Sequence, residues 1–275
     1  MDSLNTRNAT LASAPYIKAK NLNVGYNKEV VVGDINFELA PGEAFALIGT
    51  NGCGKSTLLK TIVGLQPRLG GDLTVFGSRP GNNHRRVAYL GQFHKSRFVL
   101  PLRAVDVVRM GRFPSLGLLH RMARQDDEIV RDAMQMMGVE DKADTPLMSM
   151  SGGQLQRTYL AQVLAHQADL LVLDEPTSGL DAAGRELYLH AINDELCRGA
   201  SVIMATHDIQ EEASLCHQVM LLARRVVALG PPDEVITPES LLETFGIIIS
   251  TEHKLHALEC KHGHDGHLGH HEEHN

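Results

Sequence analysis

Three features are missing from this sequence, and each absence argues against a class of protein. The four cysteines never form a Cys-x-x-Cys motif, and Cys53 lies inside a glycine-rich loop, unlike a disulfide framework; we expect reduced thiols. No run of about 18 apolar residues occurs, so any membrane role must come through a partner protein. Basic residues are outnumbered, and the net charge of -7 argues against a protein that works by neutralising nucleic-acid phosphates.

The amino terminus also lacks the apolar core that a signal peptide requires. We therefore expect a flexible N-terminus over residues 1–15 and a protein that stays in the cytoplasm. The chain has 275 residues, 43% of them hydrophobic, which is ample for one large domain or two closely packed subdomains.

One stretch carries a phosphate-binding pattern, Gly-x-x-x-x-Gly-Lys-[Ser/Thr]. An apolar strand at 44–48 precedes it and a helix at 56–65 follows it. Backbone N–H groups and the positive end of the helix dipole would face the phosphates, where side chains at the glycines would block close approach. Lys55 is expected to reach the β and γ phosphates, and the Ser56 hydroxyl to coordinate Mg²⁺. The loop residues are Gly49, Thr50, Asn51, Gly52, Cys53, Gly54, Lys55, Ser56 and Thr57.

A second anion-binding helix start is predicted at Ser151, an N-cap candidate. The N–H groups of Gly152, Gly153 and Gln154 would be exposed there, although this short motif alone is also typical of a plain helix cap.

Carboxylates follow the next buried strand, residues 170–173. Asp174 is placed to hold Mg²⁺ directly or through water, and Glu175 to act as general base or to position the attacking water. Asp181 is the N-cap candidate of a following helix. His207 ends another strand at the same predicted sheet edge, although a lone histidine there is usually structural.

Two further side chains are candidates for nucleotide contact. Tyr26 lies beside Gly25 and Asn27 on a predicted loop, where it could stack on a flat base or simply pack at the rim. Gln92 follows a strand at 87–90, where a βα fold binds ligands.

The chain also has a readable order of elements. Residues 16–39 predict short antiparallel strands around turns at Gly25, Asn27 and Gly33-Asp34, and a turn at 69–72 leads into a strand at 73–76. Helical spacing of apolar residues between 101 and 150 predicts an insertion, because 119 residues separate Lys55 from Asp174. A hairpin at 220–230 and a short helix at 237–245 follow.

In order and spacing, these motifs resemble the ATP-binding-cassette (ABC) ATPases that drive membrane transporters, over about residues 16–235. The resemblance implies an α/β fold, a P-loop NTPase ABC cassette over residues 16–251. It has an antiparallel β subdomain and a helical subdomain at about 93–165, inserted between the phosphate-loop (Walker A) and acidic (Walker B) motifs. One departure is Met150, where the family usually has Leu; a volume-conserving swap leaves the cap intact.

The resemblance also implies roles and partners. ATP and Mg²⁺ are the implied cofactors, and the implied assembly is a head-to-tail homodimer docked on an integral membrane permease. In it, the turn at Ser151, Gly152 and Gly153 of one subunit closes on ATP held by the partner's phosphate loop. The implied single-residue roles are adenine stacking for Tyr26, sensing of γ phosphate and Mg²⁺ for Gln92, a γ-phosphate contact for His207 and a dimer contact for Asp181.

The helical insertion and the 220–230 hairpin resemble those of importers for zinc, manganese or iron. We therefore expect an ATPase that energises import of a divalent metal, zinc first and manganese second, on the cytoplasmic face of the membrane, served indirectly by a solute-binding protein. One alternative is the ATPase of an iron-siderophore, haem or cobalamin importer. Another is a soluble ABC ATPase acting on DNA or ribosomes, although those typically carry tandem cassettes or long coiled coils, which this sequence lacks.

Residues 252–275 contain eight of the fifteen histidines. Their composition predicts a disordered tail that offers imidazoles to zinc. An expression tag is the alternative, but it would normally be a contiguous histidine run. The zinc-ligand candidates are His262, His264, His267, His270 and His271, with Asp265 or Cys260 in addition.

Overall fold

The computed structural model describes residues 14–92, 101–117, 121–207, 209 and 211–246. The histidine-rich tail, with all of its predicted zinc ligands, lies outside these residues. Residues 1–13 of the predicted N-terminal segment also lie outside them.

Nine strands and nine α-helices make up the described part of the chain. The strands are β1 Ile17–Tyr26, β2 Glu29–Leu39, β3 Ala44–Gly49, β4 Gly70–Val75, β5 Val87–Leu90, β6 Leu170–Asp174, β7 Ser201–Thr206, β8 Gln218–Leu222 and β9 Val226–Gly230. The helices are α1 Lys55–Ile62, α2 Ala104–Met110, α3 Phe113–Leu116, α4 Arg124–Met136, α5 Gly152–Ala165, α6 Ala182–Cys197, α7 Glu211–Ser214, α8 Pro232–Val235 and α9 Pro238–Phe245. Two 3₁₀ turns, Glu140–Lys142 and Leu147–Ser149, lie between α4 and α5.

A three-stranded antiparallel sheet has the order β2-β1-β4. Its hairpin turns at Asn27-Lys28, both with positive φ, as hairpin turns of two residues require. The turn predicted at Gly33-Asp34 is wrong: both residues lie inside β2, where the N–H of Asp34 donates to Asn23 Oδ1 (3.0 Å). The turn predicted at 69–72 is also largely strand, because β4 already begins at Gly70.

A six-stranded sheet has the order β5-β6-β7-β3-β8-β9, parallel except for the edge strand β9. Strands β3, β6 and β7 are buried along their whole length, which explains their continuous apolar runs. These three are neighbours and run in one direction, so the phosphate loop, Asp174 and His207 follow from the same edge of the sheet.

Helices α2 to α5 connect β5 to β6 and form the predicted insertion. Their shared core includes Val107, Met134 and Leu160. Arg112, at the start of α3, is buried; its Nε donates to Asp126 (3.0 Å) and its Nη1 to the carbonyl of Ala165 at the end of α5 (2.8 Å). This ion pair fixes the short helix α3 against α4 and α5. Within the described ranges, no helix is long and apolar enough to cross a membrane.

Candidate nucleotide-binding site

The phosphate loop joins β3 to α1, as its sequence predicts. The glycines are needed for contacts within the chain as well as for ligand approach. Gly54 has φ +114°, and a methyl group added to it would lie 2.3 Å from Val32 Cγ2. A methyl group added to Gly49 would lie 2.1 Å from the carbonyl oxygen of Leu222. Residues of β2 and β8 therefore exclude side chains at these two positions even without a bound phosphate.

Lys55 is held inside the loop. Its side chain is buried, and Nζ donates to the carbonyls of Gly49 (2.7 Å) and Thr50 (3.2 Å). The ammonium group therefore sits at the start of α1, where the helix dipole adds to its positive charge. This arrangement favours phosphate oxygens.

Ser56 and Asp174 form the part of the site that suits Mg²⁺. Ser56 Oγ donates to Asp174 Oδ1 (3.0 Å), while Asp174 Oδ2 is buried and has no hydrogen-bond partner among the described residues. Burial raises the pKa of Asp174, and the hydrogen bond from Ser56 partly opposes that rise. A hydroxyl and a buried carboxylate oxygen without a partner are ligands that Mg²⁺ prefers, so these residues fit the ion.

Glu175 and Gln92 are hydrogen-bonded to each other across the site. Gln92 Nε2 donates to Glu175 Oε2 (3.0 Å). Glu175 has φ +52°, a left-handed backbone conformation, and its N–H donates to the carbonyl of Ala205 (2.9 Å). Such a conformation costs on the order of 1–3 kcal/mol in a residue other than glycine and persists only where its surroundings hold it.

Lys55 and Ser56 line one cavity of about 250 Å³. Tyr26, 40% exposed, stands at one end as the last residue of β1, and Gln92 and Glu175 also contribute. Sequence reasoning missed Val31, because the uniform run Val30-Val31-Val32 gives no sign of which valine faces the site. The lining residues are Tyr26, Val31, Asn51, Gly52, Gly54, Lys55, Ser56, Thr57, Gln92 and Glu175.

Ten predicted nucleotide-site residues are not among those lining residues: Gly49, Thr50, Cys53, Ser151, Gly152, Gly153, Gln154, Asp174, Asp181 and His207. His207 is exposed just beyond the end of β7. Ser151 caps α5: its Oγ accepts from the N–H of Gln154 (3.2 Å), and Gln154 Oε1 accepts from the N–H of Ser151 (2.9 Å). Asp181 caps α6, with Oδ1 accepting from the N–H of Gly184 (2.9 Å). Both predicted N-caps are confirmed as caps.

The Ser151 turn lies beside the loop that follows Glu175. Buried Gln156, on α5, donates from Nε2 to the carbonyl of Pro176 (2.8 Å). A methyl group added to Gly153 would lie 3.1 Å from the carbonyl oxygen of Gly179. Sequence reasoning missed Gln156, although a polar residue among the apolar positions of α5 was a usable signal.

The sequence profile of the ABC transporter family matches residues 32–178. The chain belongs to the ABC transporter family. This ABC chain is 36% identical over 230 residues to the manganese transport system ATP-binding protein MntB of Bacillus subtilis, covering 84% of the chain and 92% of the relative. It is 35% identical over 240 residues to the zinc transport system ATP-binding protein TroB of Treponema pallidum, covering 87% and 90%.

Solved structures agree on the fold of this ABC chain. An inward-facing ABC transporter assigned to the metal-chelate type matches with a TM-score of 0.73 at 27% identity, covering 85% of this chain and 90% of that one. The cbiO1 protein of Clostridium perfringens, part of the ABC transporter complex cbiONQ, matches with a TM-score of 0.69 at 25% identity, covering 84% and 94%.

Family membership confirms several predictions. The fold is an α/β P-loop ABC cassette, and the chain is an ATP-hydrolysing transporter subunit that uses ATP and Mg²⁺. The relatives are ATP-binding proteins of transport systems, and one structural neighbour is part of an ABC transporter complex.

Proposed function

We propose that this ABC ATPase energises an importer for a divalent transition metal, with zinc the first candidate cargo and manganese the second. The observation that carries the proposal is its similarity, over more than four fifths of the chain, to the ATP-binding proteins of a manganese and a zinc transport system. The eight histidines of the tail favour zinc, because imidazole suits zinc whereas carboxylate and water oxygens suit manganese.

In this function the cavity binds one ATP. Tyr26 stacks on adenine, the phosphate loop wraps the phosphates, and Lys55 neutralises their charge. We assign Mg²⁺ to Ser56, Gln92 and Asp174, where the bound ion would screen the phosphate oxygens. The support is the Ser56 to Asp174 contact and the buried Asp174 oxygen without a partner.

Glu175 is the proposed general base. It accepts the proton of the attacking water, and the hydrogen bond from Gln92 orients its carboxylate. His207 is proposed to contact the γ phosphate from the neighbouring strand end. A carboxylate at the end of β6, one residue beyond the Mg²⁺ ligand, supports this assignment of the base.

The second half of each site is proposed to come from the partner subunit. The Ser151 turn, with Gly152, Gly153 and Gln154, would cover ATP held by the partner's phosphate loop, and Asp181 would contact the partner. The exposure of the Ser151 turn supports this arrangement. Ser151 and Gly152 are exposed, and a methyl group added to Gly152 would meet nothing within 4 Å. The proposed location is the cytoplasmic face of the membrane, with a solute-binding protein delivering the metal to the permease.

The tail is proposed to bind zinc and to tune the ATPase. His262, His264, His267, His270 and His271 would supply neutral imidazoles, so binding weakens as protonation begins near pH 6.5, at about the free imidazole pKa. The test compares the full chain with one ending at Thr251 by calorimetric zinc titration and by hydrolysis rate with and without zinc. Equal zinc stoichiometry in the full and shortened chains would refute the tail site. An equal response of their hydrolysis rates to zinc would refute only the regulatory role.

The cargo is tested by reconstitution. The full complex, purified with its permease and solute-binding protein, is placed in vesicles, and ATP-dependent uptake of zinc, manganese and a ferric siderophore is compared. The complex carrying Glu175→Gln serves as the negative control for ATP-dependent uptake. We expect zinc uptake to exceed manganese uptake; uptake of neither ion would contradict the proposal.

The second candidate is the ATPase of an importer for a metal chelate, such as an iron-siderophore, haem or cobalamin. The similarity to the metal-chelate type transporter favours it. Uptake of the ferric siderophore alone would establish it. A soluble ABC ATPase of another class would purify without a permease.

A further inference from the structure

A second cavity of about 200 Å³ lies between the end of α1 and the strands β4 and β5. Its lining is mainly apolar and includes Ile62, Val75 and Val87. Tyr89, on β5, also lines this cavity, and it is the lining residue that reaches toward the chain segment ending in Gln92.

The ring of Tyr89 lies beside Gly91. A methyl group in place of a Gly91 hydrogen would lie 3.2 Å from both Cε1 and Oη of Tyr89. The phenol therefore occupies the space that a side chain at Gly91 would need. Gln92 is the next residue, and its amide donates to Glu175 (3.0 Å). Tyr89 thus lies between the second cavity and Gly91, and the residue after Gly91 is hydrogen-bonded to the proposed general base.

The hydroxyl is not what holds this ring. Tyr89 Oη is buried and has no hydrogen-bond partner among the described residues. Burial and, to a smaller extent, the nearby carboxylate of Asp174 together raise the pKa of Tyr89 to about 12, so the phenol stays neutral. Packing of the ring against its neighbours therefore places the side chain, which also borders the second cavity.

We propose that Tyr89 is a positioning residue for Gln92: its ring sets the backbone at Gly91 and thereby the hydrogen bond from Gln92 to Glu175. The inference rests on the proposed role of Gln92 in ATP hydrolysis. When the ring is beside Gly91, the amide is held at the carboxylate; when the ring is removed, Gln92 loses this positioning.

The test is steady-state ATP hydrolysis by the full chain. Tyr89→Ala is expected to lower kcat about tenfold with the KM for ATP changed less than about twofold, because misplacing a catalytic group lowers turnover more than binding. Tyr89→Phe keeps the ring and is expected to recover most of that loss. The matched control is Val87→Ala, which shortens a side chain in the same cavity, two residues earlier on the same strand. A loss in Val87→Ala as large as in Tyr89→Ala, or no recovery in Tyr89→Phe, would overturn the proposal.

A double-mutant cycle shows whether Tyr89 acts through Gln92. If it does, Tyr89→Ala changes kcat less than about twofold in a Gln92→Ala background, because the group being positioned is already gone. A full tenfold loss in that background would overturn the positioning role while leaving the role of Gln92 intact. If Gln92→Ala by itself leaves kcat unchanged, the proposed function of Gln92 fails, and this inference fails with it. Thermal unfolding is measured for each variant, and Tyr89→Leu, expected to lower kcat in the same way, replaces Tyr89→Ala if the latter does not fold.

Discussion

Asp174→Asn is expected to stabilise the nucleotide-free protein, although it removes a proposed Mg²⁺ ligand. Asp174 is 1% exposed, and its Oδ2 has no hydrogen-bond partner among the described residues. Burial penalises the ionised carboxylate more than a neutral side chain of the same shape. Asparagine keeps the shape and can still accept from Ser56, but carries no charge. We therefore expect the free energy of unfolding to rise by about 1 kcal/mol, which moves Tm upward by about 2–4 °C for a domain of this size.

The sign of the pH dependence follows from the raised pKa of Asp174. A carboxyl group whose pKa is higher in the folded state destabilises the fold at neutral pH, where it must be ionised. That destabilisation diminishes as pH falls through the folded pKa and is gone below the unfolded value of about 3.9. The Tm advantage of Asp174→Asn should therefore shrink as the pH is lowered from neutral toward about 3.9, the unfolded value.

In the presence of MgATP the wild type should become more stable than Asp174→Asn. At a ligand concentration of about 100 times Kd, binding adds about 2.7 kcal/mol to the stability of the wild type. Asp174→Asn should lose most of the ligand-induced stabilisation that depends on Mg²⁺. The measurement is thermal unfolding of both proteins with and without MgATP. The control is Asp181→Asn, an exposed N-cap at which the two residue types are equivalent. A lower Tm for nucleotide-free Asp174→Asn would refute the reasoning.

Three further predictions test other parts of the molecule. Glu175→Gln should retain ATP binding but lose at least about 100-fold in turnover, because an amide cannot take the water's proton; hydrolysis near the wild-type rate would exclude Glu175 as the base. Ser151→Arg should leave ATP binding to each subunit intact but prevent ATP-driven dimers of a Glu175→Gln background, measured by light scattering; dimers that still form would contradict the proposed head-to-tail arrangement. Arg112→Met should lower the free energy of unfolding by about 3 kcal/mol in urea titration, because it leaves the carboxylate of Asp126 buried without its cation; a loss under about 1 kcal/mol would mean that water replaces the guanidinium.

Local rules predicted the elements whose cause is local. Ser151 and Asp181 are helix caps because each side chain accepts from an N–H three residues ahead, a relation visible in the sequence. The buried runs that became β3 and β6 were equally plain.

Features that depend on distant residues were not predictable in this way. Gly33-Asp34 is a turn pattern, yet it lies within a strand because Asn23, eleven residues away, accepts from Asp34. Gly54 needs its hydrogen because Val32 lies against it. The link from Gln156 to Pro176 joins residues twenty positions apart. In each case the partner follows from tertiary packing, which no local pattern specifies.

The left-handed backbone at Glu175 has a consequence for directed evolution of this protein. Glycine, and to a lesser degree asparagine, adopts that conformation more easily than glutamate. A selection for heat resistance alone would therefore enrich replacements at the residue proposed to activate water. The selected variants would be thermostable but would not hydrolyse ATP. Libraries built on this cassette need a screen that reports phosphate release.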